Sequence, residues 1–317
     1  MRITRIAAAA AAVTLALGLA ACGKEGTPTP SADGGTSGAP TSDACTSSGT
    51  TFTPASGVAI AGSPTFEKIK AAGKVVIGVK FDQPNLGYKD ASGKRCGFDI
   101  EIAQLIASKL GIDPAKIEYK EIASANRETA IKGGEVDYYV GTYSITEKRK
   151  ADVSFAGPYF VAAQDLLVRK DDTSITGADS LKGKTVCSAT GSTPIQRVRD
   201  QKLTDKIVEF KTYSECVSQL LDKKVDAVTT DDAILKGFAA QSPSQLKVVG
   251  KPFVDPATGK AYPEKYGIGL PHDDKALRDF VNAALEAAFT DGTWQKVYDG
   301  TLGKSGSAGS PPALEKY

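Results

Sequence analysis

KVVIGVK (74–80) and, one loop later, FDIEIAQLIASKL (98–110) set two different periods side by side. The first is a short run of β-branched residues between charged ends and reads as a buried strand. In the second, Ile102, Leu105, Ile106 and Leu110 return at helical spacing and Gly111 stops the helix. A strand followed by an amphipathic helix is the unit of an α/β fold, and the unit recurs. A strand is expected over 117–121, a helix over 127–132 closed by Gly133 and Gly134, and a strand over 136–142. Together these make one α/β lobe.

A second lobe of the same kind begins beyond Phe160. Strands are expected over 165–169, 185–189, 207–210, 226–230 and 246–249, with helices over 194–202, 213–222 and 233–240. The last segments, a strand over 266–271, a helix over 275–289 and a short helix over 294–298, are too few for a third lobe. They return to complete the first. The chain therefore crosses between lobes twice, which makes a hinge; lobe 1 is read as 64–162 with 265–303, lobe 2 as 163–264, and 304–317 as a C-terminal tail.

Composition narrows the function. With 317 residues, 41% hydrophobic and 24% charged, the chain has the make-up of a globular protein of about two domains. Arg2 and Arg5 account for the formal charge of +2, so the rest is near neutral, which argues against nucleic acid as a partner. One histidine, His272, excludes sites built on several imidazoles. His272 lies in a loop, Pro271-His272-Asp273-Asp274, and is expected at the surface. No cofactor is expected, and no G-x-x-x-x-G-K-[ST] loop is present to bind a nucleotide.

The N-terminus reads as an export signal over 1–21: Arg2 and Arg5, then an Ala- and Leu-rich run ending in small residues. Leu19-Ala20-Ala21-Cys22 resembles a bacterial lipobox, which makes Cys22 the expected lipidation site and the extracytoplasmic face of the membrane the expected location. Residues 22–63, rich in Gly, Ser, Thr, Pro and Ala, are expected to form a flexible tether. Four further cysteines permit three disulfide pairings in an oxidising compartment. Cys187 with Cys216 is favoured because both lie in one βαβα segment, which leaves Cys45 with Cys96.

Five segments together carry a resemblance: GVKFDQPNLGYKD (78–90), GFDIEIAQLIASKLG (97–111), SITEKRKADVSFAGPYF (144–160), LKGKTVCSATGST (181–193) and VDAVTTDDAIL (225–235). In order and spacing, from about Ser63 to Gly303, the chain resembles the bilobal solute-binding proteins of ABC importers for polar amino acids. Its D-Q-P-N-L-G-Y segment is similar to that of the glutamate-type lipoproteins of Gram-positive bacteria. The resemblance implies a two-lobed periplasmic-binding-protein type II fold that closes like a flytrap. It also implies a monomer serving membrane permease subunits with a separate ATPase.

The resemblance also assigns roles residue by residue. Arg149 is expected to grip the ligand α-carboxylate, a task suited to a guanidinium fork, aided by Ser144 and the backbone of Thr142. Ser192 and Thr193, at a helix start in lobe 2, offer further donors. Asp231 is the expected acceptor for the α-ammonium, with Asp232 its rival and helix capping the alternative use of either. Lys80 and Arg127 are cations suited to a side-chain carboxylate, pointing to glutamate or aspartate over the amides. Tyr138 and Tyr139, adjacent on a strand, are expected to place one ring inward and one outward. Tyr143 and Tyr159 suit either the pocket wall or the core. Two other readings share the scaffold: a dehydratase acting on prephenate-like acids, and a lipoprotein reporting its ligand to a sensor.

Overall fold

The computed structural model describes residues 45–306 and 309–317. The export signal, Cys22 and the first part of the expected tether lie outside the described residues. Lobe 1 opens with α1 (Pro64–Ala72), capped by the Ser63 hydroxyl, and β1 (Val75–Val79). A small hairpin sheet follows, β2 (Asp82–Gln83), β3 (Gly87–Lys89) and β4 (Arg95–Cys96), and leads into α2 (Phe98–Lys109). Then come β5 (Ile117–Glu121), α3 (Arg127–Lys132), β6 (Tyr138–Val140) and the single turn α4 (Glu147–Lys150). All four residues of the α2 stripe, Ile102, Leu105, Ile106 and Leu110, are buried.

The crossing strand is β7 (Ser154–Arg169). Residues 154–163 pair with a returning strand over 263–270, whereas 164–169 pair with lobe 2 strands. Lobe 2 contains β8 (Val186–Ala189), α5 (Thr193–Asp200), β9 (Ile207–Phe210), α6 (Tyr213–Leu221), β10 (Ala227–Asp231), α7 (Asp232–Gln241) and β11 (Leu246–Val248). The chain returns through β12 (Pro263–Leu270) to α8 (Lys275–Thr290) and α9 (Thr293–Gly300). The large sheet runs β5-β1-β6-β12-β7-β10-β8-β9, with β11 also on β7. In lobe 1 the parallel pairs β5-β1 and β1-β6 lie to one side of the antiparallel pairs β6-β12 and β12-β7, and β7 and β12 are the two crossings.

Two expectations need correction. The tether does not extend to residue 63: residues 45–63 pack on lobe 1. Thr46 O accepts from Gly97 N at 2.9 Å, Glu101 Oε1 accepts from Ser48 N at 2.7 Å, and Ser108 O accepts from Ala55 N at 2.8 Å. Phe52 and Ile60 are buried in the core, and Cys45 is bonded to Cys96. A few apolar anchors and one crosslink suffice to order a segment whose average composition is that of a linker. Second, Tyr138 and Tyr139 are both fully buried. The Tyr138 hydroxyl donates to Ala103 O on α2 at 2.8 Å, and the Tyr139 ring fills the space left by Gly78 on the other face. A sheet covered on both faces has no outward side.

The second disulfide, Cys187–Cys216, ties β8 to α6 in the lobe 2 core. Trp294 locks the returning helices to lobe 1: its ring stacks on Tyr298 at 5.1 Å and its Nε1 donates to Tyr159 O at 2.8 Å. The last residues also dock. Tyr317 Oη accepts from Phe155 N at 2.8 Å, and its ring lies beneath Lys150 and Arg278.

Candidate ligand site between the lobes

The lobes meet with a cavity of about 10 Å³ between them. Lobe 1 contributes Ser124, Arg127, Thr142 and Ser144; lobe 2 contributes Ser192, Thr193, Pro194, Tyr213, Asp231 and Ile234. Six of the residues anticipated from sequence therefore border one cavity. Arg149 and Lys80 are not among the lining residues but bond to two of them, Arg149 to Ser144 O and Lys80 to Ser124 Oγ. The closed arrangement is held by polar contacts across the gap. Gly191 O, in the turn before α5, accepts from Arg149 Nη2 at 3.0 Å and from Arg127 Nη2 at 3.5 Å, and the Ser144 and Thr193 hydroxyls are 3.3 Å apart.

Gly191 is where the backbone demands glycine. Its φ is +76°, and a Cβ there would lie 2.7 Å from Ala125 Cα of lobe 1. On lobe 1 the two guanidinium groups share the ring of Tyr143, at 4.3 Å for Arg127 and 5.0 Å for Arg149. Arg149 also donates Nη1 to Ser144 O at 2.7 Å and pairs through Nε with Glu128 at 3.2 Å. Burial, then the neighbouring Arg127, pushes its pKa down to about 10, which leaves it charged at neutral pH.

Arg127 and Lys80 differ from Arg149 in one respect. Arg127 is 2% exposed and donates to the carbonyls of Ser124 and Thr142, yet among the described residues it makes no ion pair with a carboxylate. Lys80 is also buried; its Nζ donates to Ser124 Oγ at 2.7 Å, again with no carboxylate in ion-pair range. Burial, then Arg127, lowers its pKa to about 7. Among the described residues neither Arg127 nor Lys80 is ion-paired, although Asp82 and Asp99 act on Lys80 through space; Arg127 carries a buried charge and Lys80 is about half protonated at neutral pH, an arrangement that favours an incoming anion.

Residues 75–304 match the family of bacterial extracellular solute-binding proteins, family 3. The chain belongs to this family. The glutamate-binding protein GluB of Corynebacterium glutamicum is 41% identical over 242 residues, which cover 73% of this chain and 79% of that protein. The glutamine-binding protein of Geobacillus stearothermophilus is 41% identical over 216 residues, covering 68% and 79%. An ancestral arginine-binding protein bound to glutamine aligns with a TM-score of 0.65 at 35% identity, covering 72% of this chain and 96% of that one. The fold is accordingly the two-lobed type II architecture expected from sequence, and these relatives are named for binding.

Within this solute-binding protein the expected backbone donor at Thr142 is already used, which corrects its assigned role. Thr142 has a left-handed φ of 46°, and its N–H donates to Asp99 Oδ2 at 3.0 Å while its hydroxyl donates to Gln83 Oε1 at 3.1 Å. Asp99, fully buried, also accepts from Tyr159 Oη at 2.8 Å, and burial raises its pKa to about 7. Thr142 therefore shapes the cavity by its conformation.

On lobe 2, Ser192 caps α5 through Ile195 N at 3.4 Å, and Thr193 donates to Glu264 Oε2 at 2.8 Å. Asp232, the rival of Asp231, turns away: it accepts from Ala163 N at 3.1 Å and pairs with Lys236. Tyr143 and Tyr159 are core residues, fully buried. His272 is half exposed beside Asp273, away from the cavity.

Ser124 and Tyr213 were not anticipated as cavity residues. Tyr213 follows Thr212, the N-cap of the capping box Thr212–Glu215, a readable helix start at the carboxyl end of a strand, where α/β folds gather ligands. Ser124 had no comparable signal. Among the described residues no helix is long and apolar enough to cross a membrane.

Proposed function

We propose that this protein captures an acidic amino acid, L-glutamate foremost, by closure of its lobes and delivers it to the permease of an ABC importer. The observation that carries the reading is the buried basic pair Arg127 and Lys80 at the junction of the lobes, neither ion-paired to a carboxylate among the described residues. A side-chain carboxylate pairs with Arg127 and draws a proton onto Lys80; a glutamine amide leaves the Arg127 charge unpaired, at a cost of several kcal/mol. In this reading the ligand α-carboxylate takes the Arg149 donor now spent on Gly191 O, with the Ser144 and Ser192 hydroxyls as further donors, while Thr193 stays bonded to Glu264. Asp231 receives the α-ammonium. Ligand contacts to both lobes stabilise only the closed state, so binding shifts the population toward closure.

The names of the relatives support amino-acid capture, and the cations support the acidic side chain. Lys80→Met tests the latter. Calorimetry is expected to show glutamate affinity falling at least about tenfold while glutamine affinity changes less than about threefold, since one unpaired charge is worth one to several factors of ten. An equal loss for both ligands contradicts the assignment.

The protein is further proposed to act as a monomer held at the outer face of the cell membrane by a lipid on Cys22. Wild-type protein should incorporate labelled palmitate and Cys22→Ser should not. Equal labelling of the two would exclude Cys22 as the anchor.

A further inference from the structure

Asp231 occupies the position just before α7, where an aspartate ordinarily accepts from the first N–H groups of its own helix. Here its side chain makes no capping bond. Its partner comes from β12: Tyr266 donates its hydroxyl to Asp231 Oδ2 at 2.7 Å, with both residues buried. The other oxygen, Oδ1, is buried with no hydrogen-bond partner among the described residues, on a side chain that borders the cavity. A buried carboxylate oxygen left without a donor is costly unless a ligand supplies one.

Tyr266 has little freedom to move. Its ring packs against Tyr159 at 6.1 Å and Phe160 at 5.7 Å, and its backbone is paired with Phe160 on β7 and bridged to Ser144. A rigid ring of this kind has one place to put its hydroxyl, whereas an aspartate carboxyl rotates broadly about its last torsion. We infer that Tyr266 is a positioning residue that holds the Asp231 carboxylate by Oδ2, so that Oδ1 is presented to the ammonium group of the ligand. The inference rests on the amino-acid reading given above. It adds that the acceptor on lobe 2 takes its orientation from a strand that crosses the hinge.

Glutamate titrations of wild type, Tyr266→Phe, Asp231→Asn and the double variant test this. Tyr266→Phe keeps the ring and its packing and is expected to weaken glutamate binding about tenfold or more, the usual effect of one hydrogen bond to a charged group. The double variant is expected to bind no more weakly than Asp231→Asn alone, because without the carboxylate the hydroxyl has nothing to orient. Glutarate, which lacks the ammonium, measured by competition, should lose no affinity in Tyr266→Phe. Wild-type glutamate affinity in Tyr266→Phe overturns the inference, as does an equal loss for glutamate and glutarate, which marks a packing role. A wild type that binds no amino acid overturns the functional reading, and this inference with it.

Discussion

Arg149→Ala is expected to weaken binding of every amino acid by about a thousandfold, because the change strands a buried ligand carboxylate and such a loss costs about 3–5 kcal/mol. Arg149 is the buried cation of lobe 1 that reaches furthest across the gap, to Gly191 O at 3.0 Å. Its charge survives burial, and a ligand carboxylate is a stronger acceptor for its fork than the Ser144 and Gly191 carbonyls that it now meets. Unlike a substitution at Lys80, this one does not discriminate between ligands, since the α-carboxylate is common to all of them. The fold should tolerate it: the Glu128 side chain left behind is a quarter exposed and meets water. Titration and thermal unfolding read the two effects separately. A Kd within tenfold of wild type, with the fold intact, contradicts the assignment of Arg149.

Gly237→Leu addresses closure itself. Gly237 lies inside α7, where glycine costs up to about 1 kcal/mol relative to a good helix former, and no positive φ requires it. The reason for glycine is across the gap. A Cβ at this position would stand 2.7 Å from Pro84 O of lobe 1. A leucine there becomes a wedge that only the open state accommodates. Ligand affinity is expected to fall at least about a hundredfold, because a clash against backbone excludes the state the ligand selects. The unliganded protein should unfold at an unchanged or higher temperature, as the helix gains propensity. Retained affinity would mean that the closed contact between α7 and the β2 turn is not needed for binding.

Where the pattern in the chain is local, sequence reading and structure agree closely. The α2 stripe and the alternation of strands and helices in lobe 2 follow from the period of apolar residues, and the return of the last helices to lobe 1 follows from their number. The site is legible in part. Arg127, Ser144, Ser192, Thr193 and Asp231 were found and converge on the cavity, because motif order fixes which loops face the gap. Long-range pairing was not legible. β7 runs unbroken from Ser154 to Arg169 through Gly157 and Pro158, residues that ordinarily punctuate a strand. Asp82 on the lobe 1 hairpin accepts from Tyr213 N and Ser214 N at 3.0 and 3.1 Å, the α6 donors left over by the Thr212 capping box. Nothing near Asp82 in sequence announces a helix in the other lobe. The same holds for Tyr266, whose hydroxyl finds Asp231 only once β12 lies beside β7.

Calorimetric titration of the polypeptide from Pro40 on with glutamate, aspartate, glutamine, asparagine and prephenate in parallel tests the central claim most directly. The account predicts saturable, one-site glutamate binding without turnover, with glutamine at least about tenfold weaker because it leaves a buried cation unpaired. Glutamine bound as tightly as glutamate, or silence toward all four amino acids, would contradict it.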